Sequence, residues 1–147
     1  ALIKAFLLYR TYHGGAMSPA VQAASVAAWG DEDHVIDNRR QYREKFAQVT
    51  PLLASVMEVA LPDAAFYLWA GVPEAFNHRI PGLSADEAFA RELLAQYNVT
   101  VLPGSYLARE AQGVNPGRGR VRMALVAEPA ECLEAAGRIV EFLSPRA

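Results

Sequence analysis

The sequence predicts an α+β fold in which a short mixed or antiparallel sheet of about three strands is covered by helices. Helical patterns occupy both ends of the 147-residue chain, and three short strand patterns lie between them. Because the strands do not alternate regularly with helices, a stack of parallel βαβ units is not indicated. The length is typical of a single domain, which buries about 70% of its unfolded surface.

Composition excludes several classes of function. Hydrophobic residues make up 52% of the chain and charged residues 20%, a balance typical of a folded globular protein. The net charge of -2 provides no general basic surface, so nucleic acid is not a predicted partner. No apolar run approaches the roughly 18 residues of a membrane span, so no membrane partner is predicted. The single cysteine, Cys132, favours a reducing cytoplasm.

The N-terminal residues 1–10 show an amphipathic helical pattern that starts without a methionine and without a capping side chain. We expect such a beginning in a segment cut from a longer chain, because ordinary termini fray in polar residues. Residues 12–17 interrupt the helix. Their two glycines, Gly14 and Gly15, either let the backbone approach a ligand closely or form a plain helix-ending turn.

Two further helices are predicted before the first strand. Ser18 and Pro19 supply an N-cap and a first-turn proline for a helix that ends at Gly30, and its alanine and valine residues predict packing on two sides. The acidic residues 31–33 begin a long third helix with a solvated charged face. Pro51 either kinks this helix or starts a new one.

The strand predictions fall in the second half of the chain. Residues 66–72 are an aromatic-rich run that suits a buried strand, and residues 99–102 form a second, shorter β pattern. Between them we predict a helix that Ser84 caps, with Glu87 completing a capping box. Asn98 is expected to end that helix in the left-handed conformation.

The last predicted elements surround a tight connection. Residues 103–105 form a turn after the second strand. Residues 115–117, together with Gly119, lead into the third strand at residues 120–126. Residues 128–143 then close the chain as an amphipathic helix.

Arg122 is the strongest candidate for a binding residue because it lies within an apolar strand pattern. Both faces of that strand carry mostly apolar residues, which predicts that both are covered. Guanidinium cannot lose its proton, so a sheltered Arg122 needs an anion, and its planar fork fits a carboxylate bidentately. On the strand pattern alone, an internal salt bridge or a snorkelling edge-strand arginine is the favoured alternative.

Catalytic constellations are sparse in this sequence. His13, His34 and His78 share no metal-ligand spacing and Cys132 has no partner motif, so no metal site is predicted. The serines are interpreted as caps and turn residues. The glycine and arginine run at residues 117–120 precedes a strand and opens no helix, so it does not match a phosphate-binding loop. The residues alone indicate an anion-binding arginine without catalytic machinery.

Taken in order, several motifs resemble those of class I/II pyridoxal-phosphate-dependent aminotransferases. Residues 103–108 (Pro-Gly-Ser-Tyr-Leu-Ala), 115–117 (Asn-Pro-Gly) and 119–126 resemble the C-terminal end of that family. Residues 62–69 resemble its Pro-x-Gly-Ala-Phe-Tyr strand, and residues 16–22 resemble the helix after its cofactor-lysine region. The resemblance covers essentially the whole chain. Within it, residues 1–19 are most similar to the succinyldiaminopimelate aminotransferases of lysine biosynthesis.

The resemblance implies the small C-terminal domain of a fold-type I transferase, with residues 1–30 linking it to a large cofactor-binding domain. It implies a cytoplasmic homodimer that acts on amino-acid and keto-acid substrates with pyridoxal 5'-phosphate. Arg122 would grip the substrate α-carboxylate, and Phe66 would line the substrate pocket. Tyr12 and Gly14 would lie in a loop that approaches the partner subunit's active site.

The sequence departs from the family pattern at two places. Ala64 and Ala65 stand where the family has Gly-Ala. The Schiff-base lysine motif and the arginine that follows it are not found, because Lys4 and Lys45 lie in other contexts. We therefore expect no catalytic and no cofactor-binding residue in this chain, and no activity from the chain alone.

Two functions follow as alternatives. In the first, the chain is part of an enzyme that exchanges an amino group between glutamate and an N-succinylated amino-keto acid. In the second, it is a free-standing α+β binding or dimerisation module whose Arg122 senses an acidic metabolite. For a second substrate carboxylate, the sequence leaves four arginines as equal candidates: Arg10, Arg79, Arg118 and Arg120.

Overall fold

The computed structural model of this chain describes residues 1–144. The predicted α+β class is confirmed, since the chain combines helices with a three-stranded antiparallel sheet. The chain divides into two units, Ala1–Arg39 and a second unit from Arg40 onward. Its helices and strands are α1 (Leu2–His13), α2 (Pro19–Gly30), α3 (Asp33–Ala54), β1 (Tyr67–Gly71), α4 (Ala85–Tyr97), β2 (Leu102–Pro103), α5 (Gly104–Leu107), β3 (Arg120–Ala124) and α6 (Pro129–Leu143).

The first unit contains α1, α2 and the beginning of α3. Ser18 caps α2 as predicted, because its side chain accepts a hydrogen bond from the Val21 N–H. No residue of α1 or α2 is buried, and Trp29 is 85% exposed. Residues 1–144 do not supply the packing on two sides that the sequence predicts for α2, so that packing stays a prediction. No helix within residues 1–144 is long and apolar enough to cross a membrane.

The long helix α3 continues past Pro51 to Ala54, so no new helix begins at the proline. Proline removes one backbone donor from the ladder, but the helix needs only one more turn beyond it. The buried side chains of α3 belong to the second unit. Phe46, Val49 and Leu53 join its hydrophobic core, and Lys45 is buried as well.

The sheet has the strand order β1-β3-β2, and both pairs are antiparallel. On one face of the sheet, Leu68 pairs with Met123 and Ala70 pairs with Val121, and all four residues are buried. They share a hydrophobic core with residues of α3, α4 and α6. Each large apolar side chain buried there stabilises the fold by about 1.5–3 kcal/mol.

The opposite face of the sheet is only partly covered. Tyr67, Trp69 and Arg122 lie on it and are half-buried, while Ala124 is exposed. Val126, just beyond β3, is 64% exposed. The prediction that the Arg122 strand is covered on both faces is therefore wrong, because the core of the helices forms against one face only.

The second strand is shorter than predicted and lies later in the chain. Pairing is limited to Leu102 and Pro103, although Val101 is buried in the core. Proline has no N–H to donate, which limits extension of the ladder. The predicted turn at residues 103–105 is replaced by the start of α5 at Gly104. The third strand also ends at residue 124 and not at 126.

The local predictions around α4 are confirmed. Ser84 and Glu87 form the capping box, with the Ser84 N–H donating to Glu87 Oε2 at 2.9 Å. Asn98 ends the helix in the left-handed region, with φ of 53°. These caps set where α4 begins and ends relative to the sheet that it covers.

Two glycines allow the segments before and after residue 110 to touch. A Cβ added to Gly117 would lie 2.1 Å from the carbonyl oxygen of Gly104, and one added to Gly104 would lie 2.3 Å from that of Gly117. Distances this short are steric clashes, so only glycine fits at either position. The contact joins α5 to the connection that leads into β3.

We predict that Gly117→Ala lowers the free energy of unfolding by about 3 kcal/mol, since the new methyl group overlaps backbone atoms that cannot move independently. Gly137→Ala is the matched control because Gly137 lies within α6 with open space around it. The control should raise the free energy by about 0.5–1 kcal/mol through helix propensity. Urea unfolding measures both changes, and equal effects of the two substitutions would contradict the close backbone contact.

Candidate functional site

An open cleft of about 570 Å³ lies over the partly covered face of the sheet. The sheet contributes aromatic and charged side chains to it, and the two touching segments contribute small and apolar residues. Its lining consists of Tyr67, Trp69, Leu107, Ala108, Pro116, Gly117 and Arg122. The cleft therefore combines one permanent positive charge with mainly apolar walls.

Arg122 lies on the central strand, with Trp69 directly across on β1 and Leu102 across on β2. Its guanidinium carbon is 5.5 Å from the centre of the Tyr67 ring. No carboxylate within residues 1–144 lies within ion-pair distance of it, so the alternative of an internal salt bridge finds no support there. A cation–π contact at a partly exposed site contributes about 0.5–1 kcal/mol and does not neutralise the charge.

Two of the four arginines considered for a second carboxylate already have acidic partners. Arg79 Nε donates to both oxygens of Glu92, at 2.9 and 3.0 Å. Arg120 Nη2 lies 3.0 Å from Glu58 Oε1. Arg118 lies instead on a second open cleft of about 690 Å³, which also includes His78 and Tyr106.

Phe66 does not line the Arg122 cleft. It precedes β1, and its ring lies 5.5 Å from the ring of Tyr67 and 6.4 Å from that of Tyr42. Tyr12, in the last turn of α1, is exposed, and Gly14 after it has extended backbone that any residue adopts. Both belong to the first unit, whereas Arg122 belongs to the second. The substrate contacts assigned to Phe66, Tyr12 and Gly14 stay predictions.

The sequence interpretation missed Tyr67 and Trp69 as neighbours of Arg122. Because they are two residues apart in the predicted strand 66–72, the sequence already placed both side chains on one face of the sheet. The strand pairing that brings this face beside Arg122 is a long-range contact, and no local pattern specified its register.

A second residue missed was Asp86, a fully buried carboxylate in the first turn of α4. It accepts hydrogen bonds from the Ser105 N–H at 2.9 Å and from the Gly119 N–H at 3.1 Å. Burial by itself raises the pKa of Asp86. The hydrogen bonds from Ser105, Gly119 and Ser84 outweigh burial and hold the pKa below its ordinary value.

Glu87 is also held as an anion. Hydrogen bonds from Ser84 and then from Tyr106 lower the pKa of Glu87. The Glu87 carboxylate in turn raises the pKa of the Tyr106 hydroxyl.

Cys132 lies in α6, and burial raises the pKa of its thiol. The thiol donates a hydrogen bond to the carbonyl of Ala127, which precedes this helix. This supports the interpretation of Cys132 as a packing residue.

Comparison with known proteins identifies close relatives. The sequence profile of the family described as aminotransferase class I and II matches residues 7–139. The structure is similar, with a TM-score of 0.82, to an aminotransferase from Neisseria meningitidis that is 54% identical, covering 97% of this chain and 34% of that one. It is also similar, with a TM-score of 0.57, to a probable N-succinyldiaminopimelate aminotransferase from Thermus thermophilus, at 33% identity over 76% of this chain and 26% of that one.

The matched relatives carry several transaminase names. An LL-diaminopimelate aminotransferase from Nitratidesulfovibrio vulgaris is 33% identical over 84% of this chain and 29% of its own length. Others are named transaminase BacF and aspartate aminotransferase. The chain spans between about a quarter and a third of the length of the relatives described above.

We predict that Asp86→Asn lowers the free energy of unfolding at pH 7 by about 2 kcal/mol, because an amide replaces a charged acceptor. The folded-state pKa of Asp86 is lowered, so its stabilisation is present above the ordinary aspartate pKa of about 3.9 and is lost as the pH falls through the folded value. The difference between wild type and variant should stay level from pH 7 to 5 and shrink below about pH 4. Urea unfolding across this range measures it, and a difference that grows on acidification would contradict the assignment.

Proposed function

The chain belongs to the class I and II aminotransferase family, and we propose that it forms the C-terminal part of an enzyme whose amino-acid and keto-acid substrates are held by Arg122. The observation that carries this proposal is the guanidinium of Arg122 in an open cleft, without an acidic partner among residues 1–144. An α-amino acid and its keto acid each carry an α-carboxylate, and the planar guanidinium fork binds that group bidentately. Such a clamp fixes the orientation of the Cα–H bond that must break.

We propose that the cofactor attaches to a lysine outside this chain. Members of this family use pyridoxal phosphate, attached through a lysine. Lys45 is buried, its Nζ donates to the Leu125 carbonyl at 3.1 Å, and it lies 5.2 Å from the centre of the Tyr42 ring. Lys4 lies on α1, none of whose residues is buried. Lys45 is thus already engaged, and neither Lys4 nor Lys45 lies in the lysine motif of the family, so we place the attachment lysine outside this chain.

The first unit supports a larger assembly. Large apolar side chains of α1 and α2 are exposed, among them Phe6 and Trp29. Proteins rarely leave so much apolar surface in water, and such surfaces mark interfaces. We propose that the remainder of the subunit and a partner subunit cover these helices in a homodimer, with Tyr12 and Gly14 near the partner's active site.

For the substrate, we propose N-succinyl-diaminopimelate and its keto acid, with glutamate and 2-oxoglutarate as the second pair. Similarity to proteins named for diaminopimelate substrates supports this choice. A succinylated substrate brings further carboxylates, which require further cations. Arg79 and Arg120 are engaged by Glu92 and Glu58, which favours Arg118 or Arg10 for that role.

We predict that Arg122→Lys, in the intact enzyme, raises the amino-acid KM and lowers kcat/KM at least tenfold, or about 1.4 kcal/mol, because a point charge cannot make the paired contact. Arg120→Lys is the matched control, since it lies on the same face of β3 and a lysine can still pair with Glu58. Steady-state kinetics measure both variants. Unchanged kinetics in Arg122→Lys would remove Arg122 from the site.

We further predict that the 147-residue chain alone shows no transaminase activity, whereas the intact protein does. A panel of succinylated diaminopimelate, LL-diaminopimelate, aspartate and phenylalanine as amino donors should give the highest kcat/KM with the succinylated compound. A higher value for another donor would reject the proposed substrate. Arg122-dependent binding of a dicarboxylate by an intact protein without transaminase activity would instead establish the binding-module alternative.

A further inference from the structure

Asp86 and Lys45 are the two charged residues that are buried within residues 1–144. The Asp86 carboxylate does not line the Arg122 cleft, so it cannot contact a substrate bound there. Burial of an ionised carboxylate costs several kcal/mol unless hydrogen bonds compensate for the lost water. The hydrogen bonds that Asp86 accepts from the backbone N–H groups of Ser105 and Gly119 provide this compensation.

The two backbone donors to Asp86 belong to the two segments that form the wall of the cleft. Ser105 lies in α5, two residues before Leu107, and its N–H donates to Asp86 Oδ2. Gly119 directly precedes β3, three residues before Arg122, and its N–H donates to Asp86 Oδ1. One carboxylate thus joins α4 to both segments, across sequence separations of 19 and 33 residues.

Other contacts make these two segments a single rigid wall. Asn115 Nδ2 donates to the Ser105 carbonyl at 3.0 Å, and Asn115 Oδ1 accepts from the Gly117 N–H at 2.9 Å. The backbones of Gly104 and Gly117 touch, and the Trp69 ring packs at Gly104. A shift of the Ser105 or Gly119 backbone would therefore displace the whole wall.

We propose that Asp86 is a positioning residue that fixes the wall of the Arg122 cleft and so sets the affinity of the cleft for a substrate carboxylate. This inference rests on the proposed role of Arg122 as the carboxylate ligand. Asp86 acts through Ser105 and Gly119 and does not touch the substrate. Its position in the first turn of α4 suits an anion, because the helix dipole favours negative charge there.

An aspartate is needed because each of its oxygens accepts one of the two backbone N–H groups. An asparagine has one accepting oxygen, and its NH₂ group would face the other N–H donor. One buried N–H would then lose its partner, and the segment that carries it would open more often. Asp86→Asn is therefore the substitution that alters the wall with the smallest change in side-chain volume.

The first measurement is amide hydrogen exchange at Ser105 and Gly119 in the intact protein. Asp86→Asn should speed exchange at one or both amides at least tenfold. Glu92→Gln is the matched control because it removes a carboxylate from the same helix, and the partner of that carboxylate is the Arg79 side chain. The control should leave exchange at both amides unchanged. If both amides of the Asp86→Asn variant exchange as slowly as they do in the wild type, the proposal is overturned.

The second measurement is steady-state kinetics of the intact protein with glutamate as amino donor. Asp86→Asn should raise the glutamate KM about tenfold and change kcat less than threefold, whereas Glu92→Gln should change neither. Faster exchange with an unchanged KM would show a purely structural role and overturn the proposal. If Asp86→Asn does not fold, Asp86→Glu replaces it: the longer carboxylate displaces the wall, so a raised KM supports positioning and a wild-type KM overturns it.

The failure of the proposed function is distinguishable from the failure of this inference. If the intact wild-type protein has no transaminase activity, calorimetric titration with 2-oxoglutarate provides the readout. Binding that Asp86→Asn weakens about tenfold, and Glu92→Gln does not, supports the positioning role in a protein that is not a transaminase. Equal binding by wild type and Asp86→Asn, or no binding by wild type, overturns it.

Discussion

The constraint on which the site depends is the central position of β3, which pairs with a strand on each edge and buries one face. Val121 and Met123 fill the core on that face. Because side chains alternate along a strand, their burial forces Arg122 onto the opposite face, beside Trp69. A slip of one residue would place the guanidinium in the apolar core, so the register is strongly specified.

Charge on the partly covered face is distributed unequally between two arginines of one strand. Arg120 is paired with Glu58, whose backbone carbonyl also accepts from the Gly71 N–H and thereby attaches to β1. Arg122 has an aromatic neighbour instead of an acidic one. The two residues are alike in sequence context, but the surrounding structure pairs Arg120 with Glu58 and leaves Arg122 without an acidic partner among residues 1–144.

Local sequence signals predicted much of the helical structure, and long-range contacts decided what they could not predict. The capping box at Ser84 and the left-handed Asn98 depend on neighbours within a few residues, and both are present. The open face beside Arg122 depends on which side of the sheet the helices cover. The role of Asp86 depends on Ser105 and Gly119, which are distant in sequence. Only the tertiary structure brings such partners together.

The partial exposure of the Arg122 cleft also determines how strongly it can bind an anion. At a separation of 4 Å, two opposite charges attract by about 1 kcal/mol in water and by about 4 kcal/mol at an effective dielectric constant of 20. Arg122 is half-buried, so its pairing energy lies between these limits. Any protein surface that covers the cleft excludes water and so strengthens the attraction between Arg122 and a bound anion. It also raises the free-energy cost of leaving the guanidinium without an anion. The carboxylate affinity proposed for Arg122 therefore depends on the protein surface around the cleft, whereas the hydrogen bonds of Asp86 to the proposed wall lie within this chain.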